Sequence, residues 1–257
     1  MSVRAKKQLG QHFLVDDNIL GVIGRLAALD PSDVVLEIGP GLGVLTRYLA
    51  DRASHVHAVE LDRSLAPQFA DLDARQNVDL HFGDALKLDL AALKPTATKL
   101  VANLPYNVAT PIVVESLDGL PTLERWCVMV QREVADRFFA VPSTKAYGAV
   151  SVLVQLVTER VGFHPVSRAV FRPRPNVDSA LVAFARRELP PDYSRVKQVV
   201  EAAFAHRRKT LPNSLELAGL GDRDIAGAAL ERIGRERGIR AEALPPQAFV
   251  ALAHALT

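Results

Sequence analysis

The sequence predicts an α/β fold with a mostly parallel sheet, followed by a small all-helical domain. Between residues 34 and 104, short β-branched apolar runs end in a glycine, an acid or an amide. These runs recur about every 20 residues with stretches of helical length between them, which is the spacing of strand–helix units in a parallel sheet. After residue 190 the only regular pattern is helical.

Seven strands are predicted, as five apolar runs and a final pair. The five runs are VVLEIG (34–39), HVHAVE (55–60), VDLHFGD (78–84), KLVANL (99–104) and RWCVMVQ (125–131). The pair consists of ERVGFHPV (159–166) and SALVAFARRE (179–188). The segment between the pair, FRPRPNVD, contains prolines that are expected to keep it out of regular structure.

Helical patterns flank the sheet and fill the C-terminal part of the chain. Asp16 is predicted to cap a helix that Asp30-Pro31 stops. The apolar face of this helix comprises Ile19, Leu20, Ile23 and Leu26. AVSVLVQLV (149–157) predicts a buried helix, and Pro190-Pro191 marks a domain boundary. The sequence therefore predicts a first domain at 1–189, which begins with a basic arm at 1–13, and a helical domain at 190–257.

Composition limits the class of protein. The chain has 257 residues, of which 49% are hydrophobic and 23% charged, which suits a folded globular protein with a full core. Its single cysteine, Cys127, permits no internal disulfide and lies in an apolar run, so we expect a buried, unreactive thiol in a reducing cytoplasm. No apolar stretch is long enough to span a bilayer, and the basic N-terminus lacks the apolar core of a secretory signal.

Glycines and acids at the strand ends predict a nucleoside-cofactor site. Gly39 and Gly41 follow the first strand in a G-x-G-x-G pattern, Glu60 ends the second strand and Asp84 the third. At the carboxyl edge of the sheet, Glu60 could accept both ribose hydroxyls and Asp84 could accept the adenine amine. Glu37, two residues before the first glycine, would repel a pyrophosphate but could hold an α-amino group. This favours S-adenosylmethionine (SAM) over NAD.

The stretch VANLPYN at the fourth strand end predicts the target. The exocyclic amine of adenine is a poor nucleophile because its lone pair is delocalised into the ring. Asn103 offers a side-chain carbonyl and Leu104 a backbone carbonyl, which together could accept both N–H groups of that amine. Pro105 stiffens the turn, and Tyr106 gives a flat face on which a base can stack. These residues predict methyl transfer to an adenine amine without a strong general base.

Motifs along nearly the whole chain identify it as similar to a known family. They are KKQLGQHFL, VLEIGPGLGVLT, AVELD, GDAL, VANLPYNVATPI, QREVADRF, FRPRPNVDSALV and FAHRRKTLPNSL. With these motifs the chain resembles the bacterial small-subunit rRNA adenine dimethyltransferases of the KsgA type, which are class I SAM-dependent methyltransferases with a Rossmann-like sheet.

The resemblance implies an activity and a set of contacts. The activity is dimethylation of two neighbouring adenosines near the 3′ end of 16S rRNA, late in ribosome assembly. The family's SAM contacts fall on His12, Leu14, Gly39, Glu60, Asp84 and Asn103, and its target-base contacts fall on Asn103 to Tyr106 with Phe171 on the other face of the adenine. Many members carry Asn at the position of His12, and His can donate the same hydrogen bond.

Four basic clusters are expected to hold the RNA backbone, although the formal net charge is only +2. They comprise Arg4, Lys6 and Lys7; Arg172 and Arg174; Arg186 and Arg187; and His206, Arg207, Arg208 and Lys209. We expect a cytoplasmic monomer that binds small ribosomal subunits and no membrane. His55 and His57 are interpreted as structural residues, and no metal is expected.

Three alternatives remain. The first is a large-subunit rRNA adenine methyltransferase of the macrolide-resistance type, with the same fold and chemistry. The second is an NAD-dependent oxidoreductase, which Glu37 and the glycine spacing disfavour. The third is a ribosome-assembly factor that acts mainly by binding the immature subunit.

Overall fold

The computed structural model describes residues 5–6 and 9–256, so the expected RNA-binding residues Arg4 and Lys7 lie outside the described residues. The strands are β1 (Phe13–Leu14), β2 (Val34–Ile38), β3 (His55–Glu60), β4 (Val78–Phe82), β5 (Lys99–Asn103), β6 (Arg125–Gln131), β7 (Thr158–Val166), β8 (Phe171–Arg172) and β9 (Ser179–Arg186). The helices are α1 (Asp17–Ala27), α2 (Val44–Ala50), α3 (Ala70–Asp73), α4 (Ala109–Gly119), α5 (Arg132–Phe138), α6 (Ala149–Val157), α7 (Tyr193–Ala205), α8 (Leu211–Leu217), α9 (Arg223–Arg232) and α10 (Pro246–Ala255).

Seven strands form one sheet in the order β4-β3-β2-β5-β6-β9-β7. The pairs from β4 to β6 are parallel, and β9 runs antiparallel to β6. The predicted mostly parallel, seven-stranded fold is therefore confirmed. The chain moves outward from β2 through β3 to β4 and then returns to the other side of β2 with β5, so the carboxyl ends of β2 and β5 border the crevice in which such sheets bind ligands.

Local signals set the first helix. The side chain of Asp16 accepts a hydrogen bond from the backbone N–H of Asn18 at 2.9 Å, as expected for an N-cap. The helix ends at Ala27, and Ala28 adopts a left-handed conformation with φ of 47°. The turn therefore closes three residues before Pro31, and Ile19, Ile23 and their neighbours bury one face of α1.

Two compact units make up the chain. The first comprises residues 1–135 and 159–186, and the second comprises 136–158 and 187–257. The second unit contains the helices from α6 to α10, and within it Tyr147 donates its hydroxyl to the carbonyl of Leu244 at 2.6 Å. It also takes up residues 136–158, which the sequence pattern did not separate from the first domain. Among the described residues, no helix is both long and apolar enough to cross a bilayer.

In the first unit, the predicted burial of Cys127 is confirmed, while the segment after β7 is more regular than predicted. Cys127 is buried, and burial raises the pKa of its thiol to about 12, so it is protonated at neutral pH. The segment FRPRPNVD is not entirely irregular, because Phe171 and Arg172 pair antiparallel with Leu14 and Phe13. The pairing stops at Pro173, which has no N–H to donate.

Candidate cofactor and target-base site

A cavity within the first unit opens at the carboxyl ends of the parallel strands. Four stretches line it: the N-terminal segment 9–14, the glycine loop after β2, the ends of β3 and β4, and residues 103–108 after β5. The cavity brings together the sequence-predicted residues His12, Leu14, Glu37, Gly39, Gly41, Glu60, Asp84, Asn103, Leu104, Pro105 and Tyr106. Phe171 is not in the lining. It is buried in the core, where it pairs with Leu14.

The glycine loop fits closely between two neighbouring stretches of chain. Gly39 has a φ of 75°, and a Cβ there would lie 3.1 Å from the ring of Pro105. Gly41 has a φ of 59°, and a Cβ there would lie 2.9 Å from the ring of Phe13. Both positions favour glycine for their backbone conformation and for the close approach of the adjoining rings.

Glu37 is a buried carboxyl group in the cavity wall. The residue is 1% exposed, and its Oε2 has no hydrogen-bond partner among the described residues. Burial raises the pKa of Glu37 to about 8; the charge of Glu60 acts in the same direction, and the nearby Thr46 hydroxyl offsets them only in part. A buried oxygen without a partner is costly, so this atom is well suited to a cationic or N–H-bearing ligand group.

Two further acids, Glu60 at the end of β3 and Asp84 two residues after the end of β4, are oriented by backbone donors. Glu60 accepts hydrogen bonds from the N–H of Asp62 at 2.8 Å and from the N–H of Gly41 at 3.1 Å. Burial raises the pKa of Glu60, and these two donors oppose the rise. Asp84 accepts from the N–H of Leu86 at 3.0 Å, which holds its carboxylate at the edge of the cavity.

The amide of Asn103 is fixed by the N-terminal segment. Its Nδ2 donates to the backbone carbonyl of His12 at 3.1 Å, so the side-chain carbonyl is the remaining acceptor. The N–H of Leu104 donates to the carbonyl of Met129 at 3.1 Å, which ties the following turn to β6. The hydrogen bond from Nδ2 to His12 therefore sets the orientation of the Asn103 side-chain carbonyl, which is the acceptor.

Tyr106 and His12 form an aromatic wall. Their ring centroids are 5.4 Å apart, and the hydroxyl of Tyr106 shares a 2.5 Å hydrogen bond with Ser179. The Nδ1 of His12 lies 2.8 Å from the carbonyl of Pro173 and can donate to it. Burial raises the pKa of the Tyr106 phenol, so the ring is neutral at physiological pH.

The charge of the lining distinguishes between cofactors. Three acids line the cavity, and no lysine or arginine is among the described residues of the lining. Such a wall would repel a pyrophosphate and attract the ammonium and sulfonium groups of SAM.

Leu61 and Leu86 are also in the lining, although they are 54% and 43% exposed. Exposed leucines beside a cavity suit the faces of a purine, and sequence reasoning missed both.

Asp62 anchors the N-terminal segment, and sequence reasoning missed it as well. Its carboxylate accepts from Lys6 Nζ at 2.6 Å, Ser64 Oγ at 2.6 Å and Gln11 Nε2 at 3.0 Å. Burial would raise the pKa of Asp62, but these three hydrogen bonds together hold it well below its usual range. Lys6, which we expected to contact RNA, is therefore engaged in an ion pair within the first unit.

Loosening this anchor is expected to weaken SAM binding. An Asp62→Asn variant keeps the size of the side chain but removes the charge that Lys6 and Gln11 share, so residues 9–14 lose their hold on the cavity wall. We expect the Kd for SAM, measured by calorimetry, to rise about tenfold, in line with the loss of one charged hydrogen bond. Asp73→Asn, at an exposed position on α3, is the control. Unchanged affinity in Asp62→Asn would contradict the anchoring role.

The expected RNA-binding residues differ in their surroundings. Arg172 and Arg174 are exposed in the first unit, and Arg208 and Lys209 are exposed in the second. Arg207, also exposed, donates to the carbonyl of Tyr147 at 3.2 Å and lies 3.7 Å from Glu242, both within the second unit. Arg186 differs from this group, because its guanidinium donates to the carbonyls of Leu117, in the last turn of α4, and of Leu120, the first residue after α4.

Comparisons with known proteins agree on the family to which this chain belongs. The family model described as ribosomal RNA adenine dimethylase matches residues 2–248. The Ribosomal RNA small subunit methyltransferase A of Rubrobacter xylanophilus is 49% identical over 252 residues, which cover 97% of this chain and 94% of that protein. The solved 23S rRNA methyltransferase ErmE is 30% identical with a TM-score of 0.67, covering 95% of this chain and 99% of ErmE. A dimethyladenosine transferase from Plasmodium falciparum shares the fold, with a TM-score of 0.77 at 23% identity over 94% of this chain and 96% of that one. The chain therefore belongs to the ribosomal RNA adenine dimethylase family, and it is a SAM-dependent rRNA methyltransferase.

Proposed function

We propose that this protein dimethylates the N6 amines of two adjacent adenosines near the 3′ end of small-subunit rRNA. The observation that carries the proposal is the amide of Asn103, whose Nδ2 is committed to His12 and whose carbonyl is therefore left as an acceptor at the cavity. The small-subunit substrate is supported by the name of the Rubrobacter relative, which is 49% identical along nearly its whole length.

The residues of the cavity have separate tasks in this proposal. Glu37 holds the α-amino group of SAM, Glu60 accepts from the ribose hydroxyls, and Asp84 accepts from the adenine amine of the cofactor. Gly39 and Gly41 allow close approach, while His12 and Leu14 belong to the segment that covers the site. SAM supplies an electrophilic methyl group when it is bound, and the acidic lining fits its positive charge.

The target adenine is activated by acceptors rather than by a base. The side-chain carbonyl of Asn103 and the backbone carbonyl of Leu104 accept the two N–H groups, which localises the lone pair on the nitrogen. Pro105 holds both acceptors in place, because its ring packs against Gly39. The surplus proton leaves to solvent, and a second cycle gives the dimethylamine. Phe171, which lies in the core, would have to move to cover the other face of the base.

Removing the ring of Tyr106 is expected to impair the proposed target-base site specifically. Tyr106→Ala should raise KM for the RNA substrate and lower kcat/KM about 10- to 100-fold, since stacking of one base on an aromatic ring contributes roughly 1–3 kcal/mol. Tyr106→Phe keeps the ring and loses only the hydroxyl bond to Ser179, so it should retain activity within about threefold of the wild type. Equal losses in the two variants would contradict a stacking role.

The exposed basic residues are the proposed grip on the RNA backbone. An adenine in folded RNA has to swing out to reach Tyr106, which requires contacts to the flanking phosphates. We assign this to Arg172 and Arg174 in the first unit and to Arg208 and Lys209, with Arg207, in the second, so that residues 1–189 carry methyl transfer and 190–257 assist in RNA binding. Arg4, Lys6 and Lys7 in the basic arm are assigned a lesser part. We propose a cytoplasmic monomer as the working form.

The proposal is tested by methyl transfer from labelled SAM to unmethylated small subunits, large subunits and tRNA. The modified nucleosides are identified by mass spectrometry. We expect dimethyladenosine in small subunits only. Transfer to none of the three substrates by a protein that binds SAM would refute the substrate assignment and leave the cofactor site standing.

Two other functions share parts of this evidence. Label confined to large subunits would favour an activity like that of ErmE, which is 30% identical to this chain. A protein that acts mainly in ribosome assembly would bind immature small subunits and affect their maturation even as the inactive Asn103→Ala variant. Measuring subunit binding by that variant separates this role from catalysis.

A further inference from the structure

Three histidines and an aspartate lie on the neighbouring strands β3 and β4. His55 and His57 alternate along β3, Asp79 and His81 alternate along β4, and His57 is the register partner of Asp79. The His55 Nε2, the His57 Nδ1 and an Asp79 carboxylate oxygen all lie within 4.8 Å of one another. Nothing in the methyl-transfer reaction uses this cluster.

The tautomer of His57 is fixed in the form that a metal ion requires. Its Nε2 lies 2.7 Å from the carbonyl of Pro95 and must donate to it, so the lone pair is on Nδ1. Metal-binding histidines commonly donate their second ring N–H to a backbone carbonyl in this way.

Two distances within the trio are close to the edge length of a tetrahedral site. The Asp79 Oδ2 lies 2.9 Å from the His55 Nε2 and 3.6 Å from the His57 Nδ1. The Nε2 of His81 lies 3.3 Å from the same His57 nitrogen. Ligands at about 2.0–2.1 Å from a zinc ion are separated from one another by roughly 3.3 Å when they are tetrahedral. The atoms are therefore close to coordination spacing before any ion binds.

We propose that His55, His57 and Asp79 bind a divalent transition-metal ion of the zinc type as three protein ligands. Two imidazoles with one carboxylate suit zinc better than calcium or magnesium, which prefer oxygen ligands. Without an ion, the N–H of His81 can donate to the His57 Nδ1, so that nitrogen has a partner in the free protein. His57 is fully buried while Asp79 is about half exposed, which gives the ion a path from solvent.

The role that follows is structural. β4 is at the edge of the sheet, and among the described strands it pairs with β3 only. An ion bound by two residues of β3 and one of β4 would fasten this edge. Glu60 lies three residues beyond His57 along β3, or about 10 Å at the usual strand rise, so the ion would not reach the reacting atoms.

The test compares metal binding by the wild type and by two variants with changes at partly exposed ligands, His55→Gln and Asp79→Asn. After dialysis against chelator and titration with zinc chloride, the wild type should bind about one zinc per chain, and each variant should bind at least about tenfold more weakly. His164→Ala, a histidine on β7 outside the cluster, should bind zinc like the wild type. SAM binding by each variant reports that it is folded.

A second measurement tests the coordination itself. Cobalt(II) in the wild-type protein should give the intense visible absorption of a tetrahedral site, and zinc should displace it. Zinc should also raise the melting temperature of the wild type but not of Asp79→Asn. Equal zinc affinity in the wild type and both ligand variants, or a weak octahedral cobalt spectrum, would overturn the proposal.

Discussion

Replacing Asn103 with alanine is expected to lower kcat for methyl transfer about 100- to 1000-fold, the usual cost of losing one preorganised polar contact to a reacting group. The side-chain carbonyl of Asn103 is the acceptor that we assign to the adenine amine, and its orientation depends on the 3.1 Å bond from Nδ2 to His12. The same bond supports the N-terminal segment, so the Kd for SAM should also rise, but by less than about tenfold. Single-turnover rates at saturating SAM measure the first effect, and calorimetry measures the second.

Two further variants separate the acceptor from the donor. Asn103→Asp keeps an oxygen acceptor but places a carboxylate oxygen against the carbonyl of His12, so it should harm SAM binding more than alanine does. Asn18→Ala removes an exposed amide in the first turn of α1 and should leave both quantities unchanged. If Asn103→Ala keeps kcat within tenfold of the wild type, the amine must be activated by other groups.

The parallel sheet explains why so much of the cavity could be predicted. Strands that run in the same direction bring their carboxyl ends to one edge, so the position of a residue at a strand end suffices to place it. Glu60 and Asn103 each end a strand, Asp84 lies two residues after the end of β4, and all three line the same cavity. The sequence shows where each strand ends, and in this fold the strand ends form the site.

Contacts between distant parts of the chain could not be predicted in this way. Lys6 and Asp62 are separated by 56 residues, and no periodicity links them. The cover that Phe13 forms over Gly41 depends on the path of the N-terminal segment, as does the burial of Phe171 beside Leu14. These features depend on tertiary packing, which a linear pattern does not encode.

The histidine cluster could be predicted from the sequence only in part. H-x-H on one strand and D-x-H on the next are visible in the sequence, and each pattern places two side chains on one face. What joins the two patterns is the register that sets His57 opposite Asp79. Because a shift of one residue would place the two pairs on opposite faces, the cluster becomes recognisable only when the pairing is known.

Glu37 is expected to lower the stability of the free protein at neutral pH and to strengthen SAM binding. Its pKa in the folded protein is about 8, against a usual value of 4.5, so the folded state binds the proton more tightly than the unfolded chain does. The free energy of unfolding should therefore be highest below about pH 4.5 and fall as pH rises to about 8, with a loss of about 3 kcal/mol by pH 7. Glu37→Gln cannot ionise, so its melting temperature at pH 7.5 should exceed that of the wild type by a few degrees.

The same substitution should weaken SAM binding. At pH 7 the free protein holds a proton on Glu37, and an ammonium group beside Oε2 favours the ionised form. SAM binding to the wild type should therefore release about one proton, measured as the dependence of the calorimetric heat on buffer ionisation enthalpy. Glu37→Gln should release none from this site and bind SAM about 10- to 100-fold more weakly, since a hydrogen bond between charged groups contributes about 1.5–3 kcal/mol.

An exposed glutamate supplies the control for both effects. Glu124→Gln, before β6, should change neither the melting temperature nor the proton release. If Glu37→Gln gains stability and binds SAM as tightly as the wild type, the carboxylate does not hold the amino group and its burial needs another explanation. If it loses both stability and affinity, the ionised carboxylate already stabilises the free protein. Only a gain in stability with a loss in affinity fits a carboxyl group that is kept buried for the cofactor.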